Sequence, residues 1–427
     1  MKQPEPSRAY SLWVLGLLSL AYVLNFVDRQ VLAIVAGDVK AELGLSDTQL
    51  GVLLGPAFVV CFTLSGFLLA HLADTRSRKW VLTAGLTLWS LLTAGCGAAT
   101  SFAQLATLRF GVGIGEAAGA PPSQSMLSDY FSPAQRARAL SVFGLGIYLG
   151  TLLGFAGGGL IAEWFDWRTA FVVAGLSGLP LALLIAFSVR EPARAEARSE
   201  SHLPFAEMAR ILFRQRTYRR LMAAAACQAF IGFAALSWSA ILLQRVFAMN
   251  KAEAGVSFGL VAGIAGGAGN LLGGALADRF GSRDPRWYAW LSGAVSLAAA
   301  PFFAAFAQAE TAALALACFG VFYFLNNIYV PSLWTLVQTL VSARLRATSS
   351  ATQLAITNVF GYGVSSVAVG MLNDRLAPSF GDGAIRWTLL LPAMIGALSG
   401  PLFWRCASSV REDLAAVSSA AGAARAQ

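Results

Sequence analysis

Long apolar runs separated by short polar loops dominate the chain. Twelve runs of about 20 or more mostly apolar residues fall near 11–36, 48–72, 79–99, 103–127, 136–161, 168–189, 217–246, 252–277, 286–307, 311–340, 345–373 and 385–407. A helix rises about 1.5 Å per residue, so each run is long enough to cross a hydrocarbon layer of about 30 Å. In lipid such a run must be helical, because a helix satisfies its own backbone groups. The pattern predicts an all-α integral membrane protein with twelve transmembrane helices.

Composition agrees. Of 427 residues, 57% are hydrophobic and 12% charged, against about a quarter charged in soluble domains. The net charge of +9 raises the question of nucleic acid, and its distribution answers it. Of 31 Lys and Arg, 23 fall in one set of alternating loops and the termini. Six fall in the other set (Lys40, Arg168, Arg245, Lys251, Arg375, Arg386), and Arg29 and Arg109 lie inside apolar runs. Basic residues gather on the cytoplasmic side, so both termini are expected there and no nucleic-acid role is. Arg outnumbers Lys 27 to 4, which points to a GC-rich bacterial genome and thus to a bacterial inner membrane. The five Cys all sit in apolar context without paired spacing and read as inert thiols.

The chain repeats itself. The loop after the second run reads AHLADTRSRK (70–79), and the loop after the eighth reads GALADRFGSR (274–283). Asp74 and Asp278 are 204 residues apart. A second pair, RARALSVFGLGIYLG from Arg136 and RLRATSSATQLAITN from Arg344, is offset by 208. Repeats of half the chain imply two pseudo-symmetric six-helix halves with a site between them. The expected organisation is an N-terminal half over 1–189, a cytoplasmic linker with a short amphipathic helix over 190–216, a C-terminal half over 217–410 and a disordered tail over 411–427. The amphipathic segment LPFAEMARILF in the linker reads as an interfacial helix.

On the paired loop motifs the sequence resembles the major facilitator superfamily along its whole length. The resemblance implies that Asp74, Arg78 and Asp278 act as a conformational latch, each aspartate set against a helix start in the opposite half. It also implies that the first and fourth helices line a central cavity.

Four charges lie in those two helices. Asp28 and Arg29 stand in LAYVLNFVDRQVLAIVAG (20–37), and Arg109 and Glu116 in LRFGVGIGEAAGAP (108–121). Counted from the outer helix ends, Asp28, Arg109 and Glu116 lie roughly 12, 9 and 20 Å deep. Arg109 and Glu116 are seven apart and share one helix face. A charge at such depth costs at least ~2.5 kcal/mol on insertion scales, and such residues usually face a water-filled path. A plain clamp needs one acid and one base and works better apolar. Two of each, able to exchange partners, suit proton coupling.

The elements NFVDR, GVGIGEA and SDYFSPAQRARALSVFGLGIYLG (128–150) resemble the Spinster-like branch, which implies lysophospholipid or sphingosine-phosphate export with proton coupling. Organic-anion symporters share the first element, so it does not choose alone. Gly146, Gly150, Gly154 and Gly158 in the fifth run, and Gly255, Gly259, Gly263 and Gly267 in the eighth, are spaced for close helix packing, and the superfamily resemblance implies that these two helices meet across the halves.

The C-terminal half offers amides and aromatics instead of charge: Trp238, Tyr323, Asn326, Asn327, Gln353, Asn358 and Tyr362. Any one of them is readily interhelical glue. One charged half and one aromatic half suit an amphiphile with an ionic headgroup better than a sugar. The expected function is a secondary active transporter working by alternating access, with Asp28 and Glu116 as proton sites and Arg29 and Arg109 as switching partners or headgroup binders. The alternatives are proton-coupled organic-anion or multidrug transport, and a non-transporting membrane receptor or sensor. No enzyme is expected. The chain has two His (His71, His202) and no metal-ligand spacing, nucleotide loop or nucleophile motif, so no cofactor or metal is expected either. The expected partners are the amphiphile, protons and membrane lipids, with the protein a monomer.

Overall fold

A computed structural model describes residues 7–192, 205–342 and 345–415. Every regular element among the described residues is helical. The chain forms two compact units. One is Met1–Arg198 with Ala240–Gly263, and the other is Ser199–Ser239 with Ile264–Gln427.

The first unit begins with α1, Arg8–Ile34, where the Ser7 hydroxyl accepts the Tyr10 N–H. Next come α2 (Ala36–Leu43) and α3 (Asp47–Leu54). Gly44 ends α2 in the left-handed region that favours glycine, with φ 60°. Ser46 and Gln49 start α3 with reciprocal capping bonds. Gly55 and Pro56 then turn the chain into α4, Pro56–Thr75. After it run α5 (Arg78–Cys96), α6 (Phe102–Glu116), α7 (Ala120–Tyr130), α8 (Pro133–Gly144), α9 (Gly146–Trp164) and α10 (Trp167–Ser188). The chain goes on through α11 (Phe205–Arg214), α12 (Arg216–Phe247), α13 (Lys251–Gly281), α14 (Arg286–Gln308), α15 (Ala312–Thr339) and α16 (Arg346–Asn358). A π-helical segment, Val359–Ser365, joins α16 to α17 (Ser366–Phe380), and α18 (Ala384–Thr388) and α19 (Leu390–Ala407) follow. Residues 410–415 are helical as well, so the first residues of the expected disordered tail, 411–415, are ordered as helix.

Among the described residues nine stretches are long and apolar enough to cross a membrane, and the last of them, Thr348–Ala407, holds two of the twelve apolar runs. The remaining two runs are α5, which opens on Arg78 and Lys79, and the α6–α7 pair. The fourth run is therefore not one helix. Ala118 and Gly119 bond three residues back, to Gly115 and Glu116, and Pro121 and Pro122 sit in the first turn of α7. Proline lacks the N–H and clashes with the preceding turn, so α6 stops at Glu116.

The α9 glycine ridge meets a different helix. Gly146, Gly150, Gly154 and Gly158 on α9 face α1, against Tyr22, Val23, Val27 and Val31. The face that meets α13 is the adjacent one. A Cβ on Gly159 would overlap the Lys251 carbonyl, and one on Gly255 would overlap the Phe155 carbonyl. The four-residue spacing is a real packing ridge, but helix rotation gives it to the N-terminal neighbour.

At the Ile34 end of α1, ion pairs within the first unit tie the start of α13 and the end of α12 to α2 and α3. Arg245 grips Asp47 with two nitrogens at 2.6 and 2.8 Å, and Lys40 reaches the same carboxylate at 2.6 Å. Lys251 pairs with Asp38 at 2.9 Å, and the Gln244 amide donates to the Ile34 carbonyl at 2.8 Å. At the Arg8 end, buried Arg78 pairs with Asp129 and with Glu191. It also donates to Ser125 and to the Pro192 carbonyl. Ser77 and the Lys79 N–H complete the cradle around Glu191.

In the second unit Gln228 on α12 donates to Asn326 on α15 and accepts from Ser399 on α19, both at 2.7 Å. The Phe233 ring lies against Gly361, where a Cβ would overlap it, and beside Tyr362 at 4.0 Å between centroids. The amphipathic linker segment is helical, as α11. Its Leu212 is fully buried, and Met208 meets Thr348 on α16. The rest of the linker, 193–204, and the tail from 416 lie outside the described residues.

Two outcomes follow. Gly255→Leu forces α9 and α13 apart, and overpacking of this kind costs about 1–3 kcal/mol; the melting temperature in detergent should fall. For Glu191, burial pushes its carboxyl up, but the Lys79 N–H, Arg78 and Ser77 outweigh burial and hold it below its ordinary value. A lowered carboxylate stabilises the fold above the unfolded pKa of about 4.3 and loses that contribution as pH falls through the folded value. Glu191→Gln should therefore melt lower than the native protein at pH 7, with the gap closing below about pH 4.

Candidate functional site

The charged site lies inside the first unit. On α1, Asn25, Asp28 and Arg29 fall at i, i+3 and i+4, one helix face. On α6, Arg109 and Glu116 share a face two turns apart. Gly113 and Gly115 between them let neighbours close in. A Cβ on Gly113 would overlap the Phe58 carbonyl of α4, and one on Gly115 would crowd Trp89 of α5. Those contacts hold α6 between α4 and α5.

Arg29 and Glu116 form the central pair, Nε to Oε2 at 2.7 Å. The Glu116 side chain is fully buried and that of Arg29 is 10% exposed. The Arg29 Nη2 donates to Oδ1 of the Asn25 side-chain amide at 3.0 Å. Three phenyl rings surround the guanidinium: Phe26 at 4.9 Å, Phe58 at 4.8 Å and Phe62 at 4.8 Å. Cation–π attraction strengthens where water is excluded, to about 2 kcal/mol. The Arg109 guanidinium also lies over the Phe58 ring, at 5.3 Å.

Asp28 and Arg109 are as buried as Glu116 but make no ion pair with each other among the described residues. The Thr93 hydroxyl donates to Asp28 Oδ2 at 3.4 Å. Asp28 Oδ1 and the Arg109 Nε and Nη1 make no hydrogen bond there. Asp28 nevertheless feels Glu116, Arg109 and Arg29. A carboxylate at the C-terminal end of α6 also faces that helix's unpaired carbonyls, which repel negative charge; Arg29 supplies the compensating charge. The arrangement can hold two acids in mutual contact with two bases, one pair closed and one open.

Four residues expected to meet do meet. Helix-depth counting set Asp28 level with Arg109 and Glu116 deeper, and did not say which acid pairs with which base. The α6 break at Glu116, signalled by Pro121 and Pro122, and the ring cage were missed. Phe58 and Phe62 are four apart on α4 and Asn25 is four before Arg29, so the signals were present as helical spacing. The latch residues stand differently. Arg78 spends its donors on Asp129, Glu191, Ser125 and Pro192, all in its own unit. Asp278 is exposed at the end of α13, and the Asp74 side chain lies outside the described residues.

The seven residues singled out in the C-terminal half are all buried. Asn326 is bonded to Gln228, and Asn327 donates to the Tyr323 carbonyl of its own helix at 2.7 Å. The Asn326 bond links α15 to α12, whereas the Asn327 bond stays within α15. The Tyr362 and Phe233 rings are tilted by 40° with centroids 4.0 Å apart. Trp238 Nε1, Gln353 Oε1 and Asn358 Nδ2 have no hydrogen-bond partner among the described residues.

Comparison with known proteins gives a consistent answer. Residues 18–369 match the family model described as Major Facilitator Superfamily. The chain is 33% identical over 414 residues to an MFS-type efflux pump of Mycolicibacterium smegmatis, covering 96% of this chain and 95% of that one. It is 26% identical to human Protein spinster homolog 1 over 94% of this chain and 81% of that protein. Among solved structures, a bacterial homolog of the human lysosomal transporter Spinster, inward-facing and unoccupied, superposes with a TM-score of 0.85. It is 27% identical, and the match covers 96% of this chain and 99% of that one. The long apolar helices, the charges buried in the first and fourth of them and these matches lead to one assignment: the chain is an integral membrane transporter that belongs to the Spinster-like branch of the Major Facilitator Superfamily.

Proposed function

We propose that the chain is a proton-coupled secondary transporter that moves an amphipathic, lipid-like substrate of the lysophospholipid or sphingoid-phosphate type by alternating access. The observation that carries this reading is the buried Arg29–Glu116 pair with Asp28 and Arg109 beside it. A proton arriving at Glu116 removes its charge and frees Arg29. The guanidinium then takes a new acceptor, either Asp28 or an anionic headgroup. Glu116 and Asp28 are the proton carriers, and Arg29 and Arg109 are the charges that answer them. A cycle of this kind lets pH drive a conformational change, because each protonation state favours a different set of partners.

In the second unit, Trp238, Tyr323, Gln353, Asn358 and Tyr362 offer rings and uncharged polar groups, which suits an acyl or sphingoid chain. Asn326 ties α15 to α12 through Gln228. Asp74, Arg78 and Asp278 act at the cytoplasmic loops as the latch between states, with Arg78 fixing the base of its own half. The protein works as a monomer in a bacterial inner membrane with both termini cytoplasmic, and uses no cofactor.

A second reading has support in one relative. The 33% identical protein is an efflux pump, and Arg29 and Arg109 in a ring-lined site also suit export of hydrophobic drugs or organic anions.

Purified protein in proteoliposomes, loaded with labelled lysophospholipid, tests the proposal. Release of the label should rise several-fold with an imposed pH gradient, and Glu116→Gln should abolish that response while melting as a folded protein. Transport indifferent to both the gradient and the substitution leaves Glu116 structural. Transport of drugs or carboxylates with none of lysolipid favours the second reading.

A further inference from the structure

One edge of an arginine guanidinium carries two parallel N–H donors, Nε and Nη2. A carboxylate that meets this edge ordinarily takes both, one on each oxygen, and such two-pronged pairs are the strong ones. Arg29 does not pair with Glu116 in this way. Glu116 Oε2 takes Nε at 2.7 Å, while Nη2 goes to Oδ1 of the Asn25 side-chain amide at 3.0 Å. Glu116 Oε1, the oxygen that would take Nη2, is buried and has no hydrogen-bond partner among the described residues. Asn25 thus occupies the second seat of the fork.

Asn25 is itself nearly inaccessible. It stands one turn before Arg29 on α1, and a Cβ on Gly119, at the break after Glu116, would lie 3.7 Å from its amide nitrogen. Its place is fixed from both sides. The charged groups acting on Glu116 and its partner Asp28 are Arg29 from α1 and Arg109 from α6. The α4 neighbours Phe58 and Phe62 and the α5 neighbours Trp89 and Thr93 are uncharged, and Cys96 of α5 lies with Asp28 and Arg109.

We propose that Asn25 is a positioning residue that keeps the Arg29–Glu116 pair single-bonded, leaving one Glu116 oxygen open to a proton and the pair easy to break. This rests on the proton-coupling reading. A neutral amide can do this and still release Arg29. An aspartate would hold the cation, and an aliphatic residue would surrender Nη2 to Glu116.

The two substitutions should therefore act in opposite directions. In Asn25→Asp, of nearly the same shape, Arg29 is drawn off Glu116 and a like charge is added, so Glu116 takes its proton at higher pH. In Asn25→Leu, Glu116 loses the neutral Asn25 amide beside it but gains the charged Nη2 as the fork closes, the stronger of the two partners, and proton uptake requires lower pH. Each midpoint should move by about one pH unit, the order set by one charge-assisted hydrogen bond. The test follows transport of a fluorescent lysophosphatidylcholine in proteoliposomes across pH, for the native protein and both variants. The pH dependence of melting temperature in detergent is a second readout that needs no substrate.

Opposite displacements in either readout support the proposal. A native protein with a pH-dependent rate, whose variants change only the rate, overturns the role of Asn25 and leaves proton coupling intact. A native protein that transports at a rate flat across pH overturns proton coupling, and the proposal with it. If the variants fold but do not transport, the melting profiles decide, and profiles that coincide with the native one overturn the proposal.

Discussion

A carboxylate buried among apolar helices has to be held by an opposite charge, and Glu116 is held by the Nε–H of Arg29. Much of the first unit can be read as support for that contact. Three phenyl rings from α1 and α4 take the faces of the guanidinium, and Asn25 takes its remaining edge donor. Gly113 and Gly115 let α4 and α5 close on α6, so the carboxylate cannot drift away from its partner. Burial makes the pair both necessary and sensitive. Desolvating two ions is unfavourable, and removing one partner strands the other.

The same logic explains why α6 ends where it does. Continuing the helix through Ala120–Pro122 would lose backbone bonds inside an apolar layer, which is unfavourable for proline. The chain instead breaks after Glu116 and restarts as α7. The break sets the acid at a helix terminus, next to a second helix start, where backbone and side chains can change partners with little other movement. Away from this site the first unit is tied at both ends, by Arg245 and Lys40 on Asp47, and by Arg78 on Asp129 and Glu191.

Much of the fold is legible in the sequence because lipid imposes a strong rule: a long apolar run must be a helix. The loop repeat at Asp74 and Asp278 gives the two-part ancestry without any structure. Asp28, Arg29, Arg109 and Glu116 declare themselves because charge is so unfavourable at that depth. What the sequence withholds is rotation and partner choice. Glycines spaced by four say that a helix packs closely, not on whom, and those of α9 turn out to face α1. Depth along a helix is one coordinate of three, so it could set Asp28 beside Arg109 and miss that Arg29 reaches Glu116. Asn25 was invisible for another reason. An amide inside a helix is usually glue, and only the fork geometry of Arg29 gives it a distinct task. Asn326 bonds Gln228 of another helix, a partner that spacing along one helix does not reveal.

The most direct test of the account is a double-mutant cycle on the central pair. Melting temperature and denaturant resistance would be measured in detergent for Arg29→Met, Glu116→Gln and the two together. If the pair is the constraint on which the unit depends, Arg29→Met alone strands a buried carboxylate and loses on the order of 3–5 kcal/mol. Adding Glu116→Gln then recovers a large part of that loss, so the double variant is more stable than the single. A double variant that loses the sum of the two single effects, or more, would mean the charges are held independently, and the account of this site would be wrong.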